Sequence, residues 1–512
     1  MILPPYRPVL ALCAVSALAA QGLAQAPDLS RGGGAIPGGA TWTVSGDPGQ
    51  IYAIVVALEE TPTEVLPGVT LEISDHLLGL SFSVPGLIGL LDGSGNATAT
   101  VPMVDPGLVG LVISAQALTG PAFDAPSNLV RTTPALPGTF AATVEAPALP
   151  ILGGAISQLA DGDLLLAGGS GPLAQRYSDE LERFEIDGLT FGVGLLSQAT
   201  ALADGRVLFS GGLGLDGQPT AAAAVFDPTT GDTTEVTMGS PRAGHQATLL
   251  TDGRVFVTGG FGDVQIDLTA VLTDPLSLLS VFNGLLATTE FFDPTALTFS
   301  GGPTMLEPRA LHTATALDNG SILVAGGLTL IPILNIPTVS ATAYTYSTLL
   351  GVFGLPIFFD GPRLAHSAIK LDDGSVILVG GITLDLEALI TSGGDLTQLA
   401  IGARDDVIRY TSGLFSGGFS TVGTLSEPRA LPGLALLPDG RALIAGGFRA
   451  TLSVSAIDLG AASSADLYQV GVGASATGSM AGERIQPLLA TLDDGTVLIV
   501  GGGPTDAEIY QP

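Results

Sequence analysis

Five arginines recur at one position of a repeated frame. Arg242, Arg309, Arg363, Arg429 and Arg484 each stand ten residues before an Asp or Asn that is followed by Gly. A guanidinium is a planar fork of donors that grips carboxylates, phosphates or sulfates, so a ring of them predicts a site for a ligand. Two earlier repeats break the pattern with Ile151 and Gly194. Three histidines share the frame: His245, His312 and His366 each follow one of these arginines by three residues, where the last two repeats have Pro432 and Pro487. Histidines in register suggest metal ligation, but equivalent positions in neighbouring units stand too far apart to share an ion. No metal is therefore expected, and the eight residues are read as ligand contacts. The competing reading is that each arginine pairs with an acidic neighbour or with backbone carbonyls between units, and that each histidine is a hydrogen-bonded structural group.

The frame that positions them is a phrase written seven times: DGDLLLAGG from Asp161, then its variants from Asp204, Asp252, Asn319, Asp373, Asp439 and Asp494. The first Gly of the closing pair always lies seven residues after the Asp or Asn. Repetition in fixed register means a repeat architecture. An apolar strand such as 246–250 precedes the phrase, and Asp-Gly supplies the positive φ of a two-residue type I′ hairpin turn. A second apolar strand ends at the paired glycines. A third carries one aromatic, in turn Tyr177, Phe226, Phe292, Tyr346, Tyr410, Tyr468 and Tyr510. A fourth, such as 232–237, leads to the next unit. Four antiparallel strands per unit, at spacings of 43 to 67 residues, make the blade of a β-propeller.

This order resembles the kelch repeat, and it is similar to the propeller of secreted bacterial galactose-oxidase-like proteins. The resemblance covers roughly three quarters of the chain, although the kelch tryptophan of the fourth strand is absent from every unit. It implies an all-β fold with a seven-bladed kelch-like β-propeller over 136–512, in which the corresponding arginines serve ligand binding. Galactose-oxidase-like relatives use a copper radical site with a cysteine-tyrosine crosslink. The single cysteine here, Cys13, lies in the leader, so neither that chemistry nor any other cofactor is expected. The last unit stops after its third strand, at 507–510. Residues 140–145 have a fourth-strand pattern, so 140–147 is expected to close blade seven and cover an open sheet edge.

The remaining chain divides by composition. Residues 1–26 read as a signal peptide: Arg7, an apolar run at 9–20 too short to span a bilayer, and small-residue cleavage patterns. Residues 27–37, rich in Gly and Pro, are expected to be a disordered leader. Short alternating runs separated by turns at 46–49, 92–95 and 105–107 predict a small β-sandwich over 38–135, with Trp42 in its core. The mature form would have no transmembrane span and would be secreted, extracellular or held in the cell envelope. Forty-eight acids against seventeen Lys and Arg give a net charge of −31. That excludes a nucleic-acid partner, which needs a basic surface.

No G-x-S-x-G elbow, H-E-x-x-H pair, P-loop or calcium loop is present. The long insertions, at 262–289, 328–340, 382–405 and 448–464, all follow Gly-Gly pairs, so they fall on the same face as the arginines. Long loops on a rigid scaffold are where binding concentrates. The sequence therefore reads as a non-catalytic binding protein that takes a glycan or protein ligand on that face. A structural envelope or matrix protein is one alternative. A hydrolase or lyase acting on acidic polysaccharide, through carboxylates in the channel mouth, is another.

Overall fold

The computed structural model describes residues 27–143, 145–147, 151, 154–159, 161–167, 173–189, 195–214, 216–264, 282–331, 336–385, 401–413, 417–453, 456–503 and 507–512, and each structural statement concerns these. The segment assigned to a signal peptide, 1–26, lies outside them. So do Gly194 and parts of all four insertions.

The described chain is all-β apart from short helical turns such as Leu78–Ser81 and Pro106–Leu108. Near the N-terminus, a sheet of three strands (Asp28–Gly33, Gly38–Ser45 and Asn96–Met103) and a sheet of four (Ile88–Leu90, Ile51–Ala57, Ile113–Thr119 and Ala125–Thr132) share one apolar core. Trp42, Val44, Ile54, Ala115 and Val130 meet there, all essentially inaccessible. The alternation of the strands produces this, because a period of two sends every second side chain inward.

The leader expected to be disordered is corrected. Asp28–Gly33 is the edge strand of the first sheet, in register from Asp28 opposite Ser45 to Gly33 opposite Ala40. Its composition hid the physical reason: Leu29 is fully buried in the core, and Arg31 projects into a cluster of acids. Gly33 (φ +79°) makes the reversal, since a Cβ there would lie 2.5 Å from the Gly39 carbonyl oxygen.

Among the described residues, the rest of the chain builds seven antiparallel sheets: five have four strands (155–189, 198–237, 246–301, 367–424 and 488–511, the last with 139–142), that over 313–358 has five, and that over 433–484 continues into the insertion strands as a sheet of seven. The first strand of each sheet lies against the first strand of the next, and Leu488–Thr491 of the seventh lies against Ala155–Gln158 of the first. In every sheet the third-strand aromatic stands opposite the first residue of the second strand, as in Val207 with Phe226 or Val497 with Tyr510. All seven aromatics are buried, each contributing roughly 1.5–3 kcal/mol of apolar burial. The seventh sheet takes its fourth strand from the N-terminal side: Thr139–Ala142 pairs with Glu508–Gln511, Phe140 opposite Tyr510.

The hairpin turns differ from the expected two-residue type. In the second sheet, Leu202 N–H donates to Arg206 O and Gly205 N–H to Leu202 O, which leaves a three-residue loop, and of its residues only Gly205 has positive φ (87°). This is a type I turn followed by a left-handed glycine. The Asp works through its side chain instead of its φ. In all seven phrases its Oδ1 accepts from the N–H two residues on, at 2.8–3.2 Å. That short local bond explains why Asn can replace Asp at 319.

The N-terminal unit docks where the seventh and first sheets meet. Arg31 pairs with Asp179 and Glu182 of the first sheet and approaches Asp494 of the seventh at 3.4 Å. Asn128 Nδ2 donates to Glu180 and Arg131 N–H to Glu180 O. Burial pushes the Asp179 carboxyl up to about 6, with Arg31 opposing.

A chain beginning near Ala135 keeps the closing strand and should melt cooperatively. One beginning near residue 149 lacks it and should melt roughly 5–10 °C lower. Calorimetry decides, and equal melting temperatures would show that the strand does not hold the seventh sheet.

Candidate functional site

The arginine ring exists as a register, but it faces inward. Arg242, Arg309, Arg363, Arg429 and Arg484 are each fully buried, which corrects their assignment as ligand contacts. One Nη1 of each donates to the carbonyl of the first glycine of its own pair: Gly259 at 2.8 Å, Gly326 at 2.7, Gly380 at 3.2, Gly446 at 3.1 and Gly501 at 3.2. Each also pairs with a carboxylate, namely Glu290, Glu307, Asp406, Asp466 and Glu508, at 2.7–3.1 Å. Four of these acids sit on or at the head of the third strand of the same sheet, so the fork ties the Gly-Gly turn to that strand. Burial lowers the affinity of Arg242, Arg309, Arg363 and Arg429 for their proton, and the paired acids oppose that fall. Ile151 keeps only the backbone half of the device: its carbonyl accepts from Gly502 N–H at 2.9 Å.

The three histidines are corrected in the same way. His245, His312 and His366 are buried, and Nε2 of each lies 2.9 Å from a hydroxyl, of Ser210, Thr258 and Thr313 respectively. The first two hydroxyls belong to the residue just before a glycine pair. The fourth sheet has Ala325 there, so His366 turns to Thr313 instead. Desolvation, reinforced by the neighbouring arginine, pulls His245 and His312 down to about 3 and His366 well below its ordinary value. Burial thus favours the neutral form of all three in the folded protein. Among the described residues, no three of His, Asp and Glu converge as metal ligands.

What remains accessible on this side is the insertions. Immediately after four of the arginines a residue bridges to the residue following the glycine pair: Ala243 with Phe261, Ala310 with Leu328, Leu364 with Ile382, Ala430 with Phe448. The hairpin Leu328–Ile331/Ile336–Val339 rises from the fourth sheet and Ile382–Leu384/Ile401–Ala403 from the fifth. The latter pairs edge to edge with Phe448–Ser453 of the sixth, Gly402 opposite Thr451. The fifth and sixth units thus raise one shared wall, with the fourth unit's hairpin beside it as a separate two-stranded sheet, and the N-terminal unit lies on the opposite side, against the turns.

At the foot of the wall is an apolar mouth. Leu196, Leu311, Ala365, Leu431 and Gln486 share one register, two residues after the arginine position, and all adopt left-handed φ of 50–61°. Each such non-Gly residue carries a strain of order 1 kcal/mol. Backbone bonds run from unit to unit: Gly244 N–H to Leu196 O, Leu311 to Gly244, Ala365 to Leu311, Leu431 to Ala365, at 2.7–3.0 Å. This geometry turns leucines toward the mouth, where they pack with Phe261, Phe282, Leu285, Leu330 and Leu384. The sequence reading missed this belt. Its signal was the fixed offset from the arginine position, with Gly at 153 and 244 and non-Gly residues in the other five units.

The reading also missed Arg404 and Arg449, which lie outside the repeat register and keep a quarter to two fifths of their side-chain surface exposed. Arg404 forks onto Asp406, and Arg449 lies 3.8 Å from Glu427 and 3.7 Å from Glu483. Glu290, Asp406, Asp466 and Glu508, the acids nearest the arginine register, are held by arginine and are not free to act as a general acid or base.

No protein-family model matches the chain, and no curated protein matches it. Solved structures do. The structure of YjhT aligns over 65% of this chain and 99% of its own, at 15% identity and a TM-score of 0.48. A novel fungal alcohol oxidase of the AA5 family, in complex with copper, aligns over 73% of this chain and 75% of its own, at 16% identity and a TM-score of 0.51. At such identity the oxidase shares a fold with this chain and nothing further follows from it.

Arg429→Ala should cost about 3–5 kcal/mol in chemical denaturation, because it strands the buried Asp466. Arg429→Lys should recover little of this, since an ammonium cannot fork. The histidines predict a pH effect of definite sign. With folded values near 3 against an ordinary 6.5, His245 and His312 contribute stability that is complete above pH 6.5 and is lost as pH falls toward 3. Melting curves of His245→Gln/His312→Gln should fall less steeply between pH 7 and 4 than those of the parent. Parallel slopes would refute the assignment.

Proposed function

We propose that this protein is a secreted, non-catalytic recognition protein, in which a small β-sandwich precedes a seven-bladed kelch-like β-propeller and the insertion-bearing face receives the ligand. One observation carries the reading: insertions of the fifth and sixth units join into a wall, with the fourth unit's hairpin next to it, beside an apolar mouth on the face left clear by the N-terminal unit. With the arginines buried, the ligand chemistry shifts. Aliphatic side chains with few exposed aromatics suit an apolar protein segment better than a glycan, whose rings stack on aromatic faces. Apolar surface rimmed by polar groups is the usual mark of a protein-binding site.

The mature protein should select ligands from arrayed secreted proteins over arrayed glycans. Paired Leu330→Asp and Leu384→Asp, at the foot of the wall, should weaken the selected interaction by roughly tenfold or more. Unchanged affinity in that variant, measured by surface plasmon resonance, would sink the site. Loss of affinity in Asp204→Asn on the turn side would move it to the other face.

A further inference from the structure

We propose that two copies of this chain associate side by side through the outer edge of the fourth sheet. Five large apolar side chains stand out into solvent there: Leu349 is 91% exposed, Leu350 72%, Val352 52%, Leu355 85% and Phe358 73%. They occupy the turn after Thr342–Ser347, the two short strands Val352–Phe353 and Ile357–Phe358, and the link between these strands, which pair with Thr342–Ser347 on one side only. Exposed apolar clusters of this kind mark contact surfaces.

Charge identifies the occupant. Residues 319–359, forty-one in all, contain no Asp, Glu, Lys or Arg, in a chain of net charge −31. The neighbouring outer strand of the fifth sheet, Gly418–Thr424 (GFSTVGT), is also uncharged and lies against Ile357–Phe358. The outer strands of the first and second sheets read RFEIDGL and DTTEVT and carry acids. Two such molecules repel over acidic surfaces, and along this edge they meet without opposing carboxylates. An uncharged apolar patch can also meet its own copy, as a two-fold interface requires. Pro356, exposed between the two short strands, breaks the row of backbone donors, so the contact is made by side chains and not by a shared strand ladder. Asp318 and Asp360 bracket the uncharged stretch. Their repulsion across the dyad is screened by salt, so association should strengthen as ionic strength rises.

Sedimentation velocity of the whole secreted chain, across concentration and at low and high salt, tests this. The expected result is a monomer–dimer equilibrium that shifts toward dimer at high salt. Leu349→Asp with Leu355→Asp should weaken it on the order of a hundredfold, the loss expected for unpaired carboxylates at an interface centre. Thr234→Asp, on the outer strand of the second sheet, should leave it unchanged. Circular dichroism melts matching the parent would show that the double variant is folded. A parent that stays monomeric at every concentration and salt, or a double variant that dimerises as the parent does, overturns the proposal. So does a monomer that binds neutral phosphatidylcholine vesicles through this edge, because the occupant would then be a lipid surface.

Discussion

The ring of sheets depends on how a glycine pair meets an arginine. The first glycine's carbonyl accepts from the guanidinium of its own unit, and the second glycine's N–H donates to the arginine carbonyl of the next, as Gly260 does to Arg309 at 2.7 Å and Gly381 to Arg429 at 2.9 Å. One residue type therefore closes its own sheet with its side chain and joins the preceding sheet with its backbone. The contact is so close that no side chain fits at the first glycine. A Cβ on Gly259 would stand 2.2 Å from Arg309 O, and one on Gly380 2.1 Å from Arg429 O, both at left-handed φ. Arginine suits the site because its planar fork reaches a carbonyl and a carboxylate at once, which a lysine cannot.

That device has a functional consequence. A buried guanidinium with its carboxylate and carbonyls satisfied cannot grip a ligand, and the neutral histidines beside it cannot relay protons near neutral pH. The regular parts of the repeat are committed to holding the sheets together. Chemistry that varies among units, and so can be specific, is confined to what the repeat leaves over: the insertions beyond the glycine pairs, the outer strands and the mouth. Strain is concentrated there as well, in five left-handed non-glycine residues, of which Leu311 and Ala365 are held by backbone bonds to both neighbouring units.

Much of the scaffold was legible because its signals are local. The period of two, the glycine pair and the aromatic opposite the second strand involve residues close in sequence, and they place strands and turns correctly. Register was legible too, since the arginines and histidines do fall into rings. Burial was not, because it is decided by residues distant in sequence: Arg242 is enclosed by Gly259, Thr288 and Glu290, residues 17 to 48 positions away. The turn type escaped because Asp-Gly satisfies two loop lengths, and only the pairing of Leu202 with Arg206 chooses between them. Asp28–Gly33 escaped because glycines that looked like disorder make a reversal between paired strands. The wall escaped because Gly402 and Thr451 meet only after two sheets have been set side by side.

The junction between the seventh and first sheets is one where the repeated device is incomplete, and the N-terminal unit is built to cover it. Ile151 stands in the arginine register there and offers a carbonyl to Gly502 but no guanidinium. On the opposite face Arg31 spans the same junction, from Asp179 and Glu182 of the first sheet to Asp494 of the seventh. The chain that leaves this unit runs directly into Thr139–Ala142, with Gly138 N–H already bonded to Gln511 O at 2.7 Å. Docking the unit therefore holds the closing strand at its site, and the pairing becomes a short-range event instead of a search along a long loop. Three carboxylates around one guanidinium are costly to bury, as the raised affinity of Asp179 for its proton shows. The cost is tolerated at the one junction where a repeat protein must join its two ends.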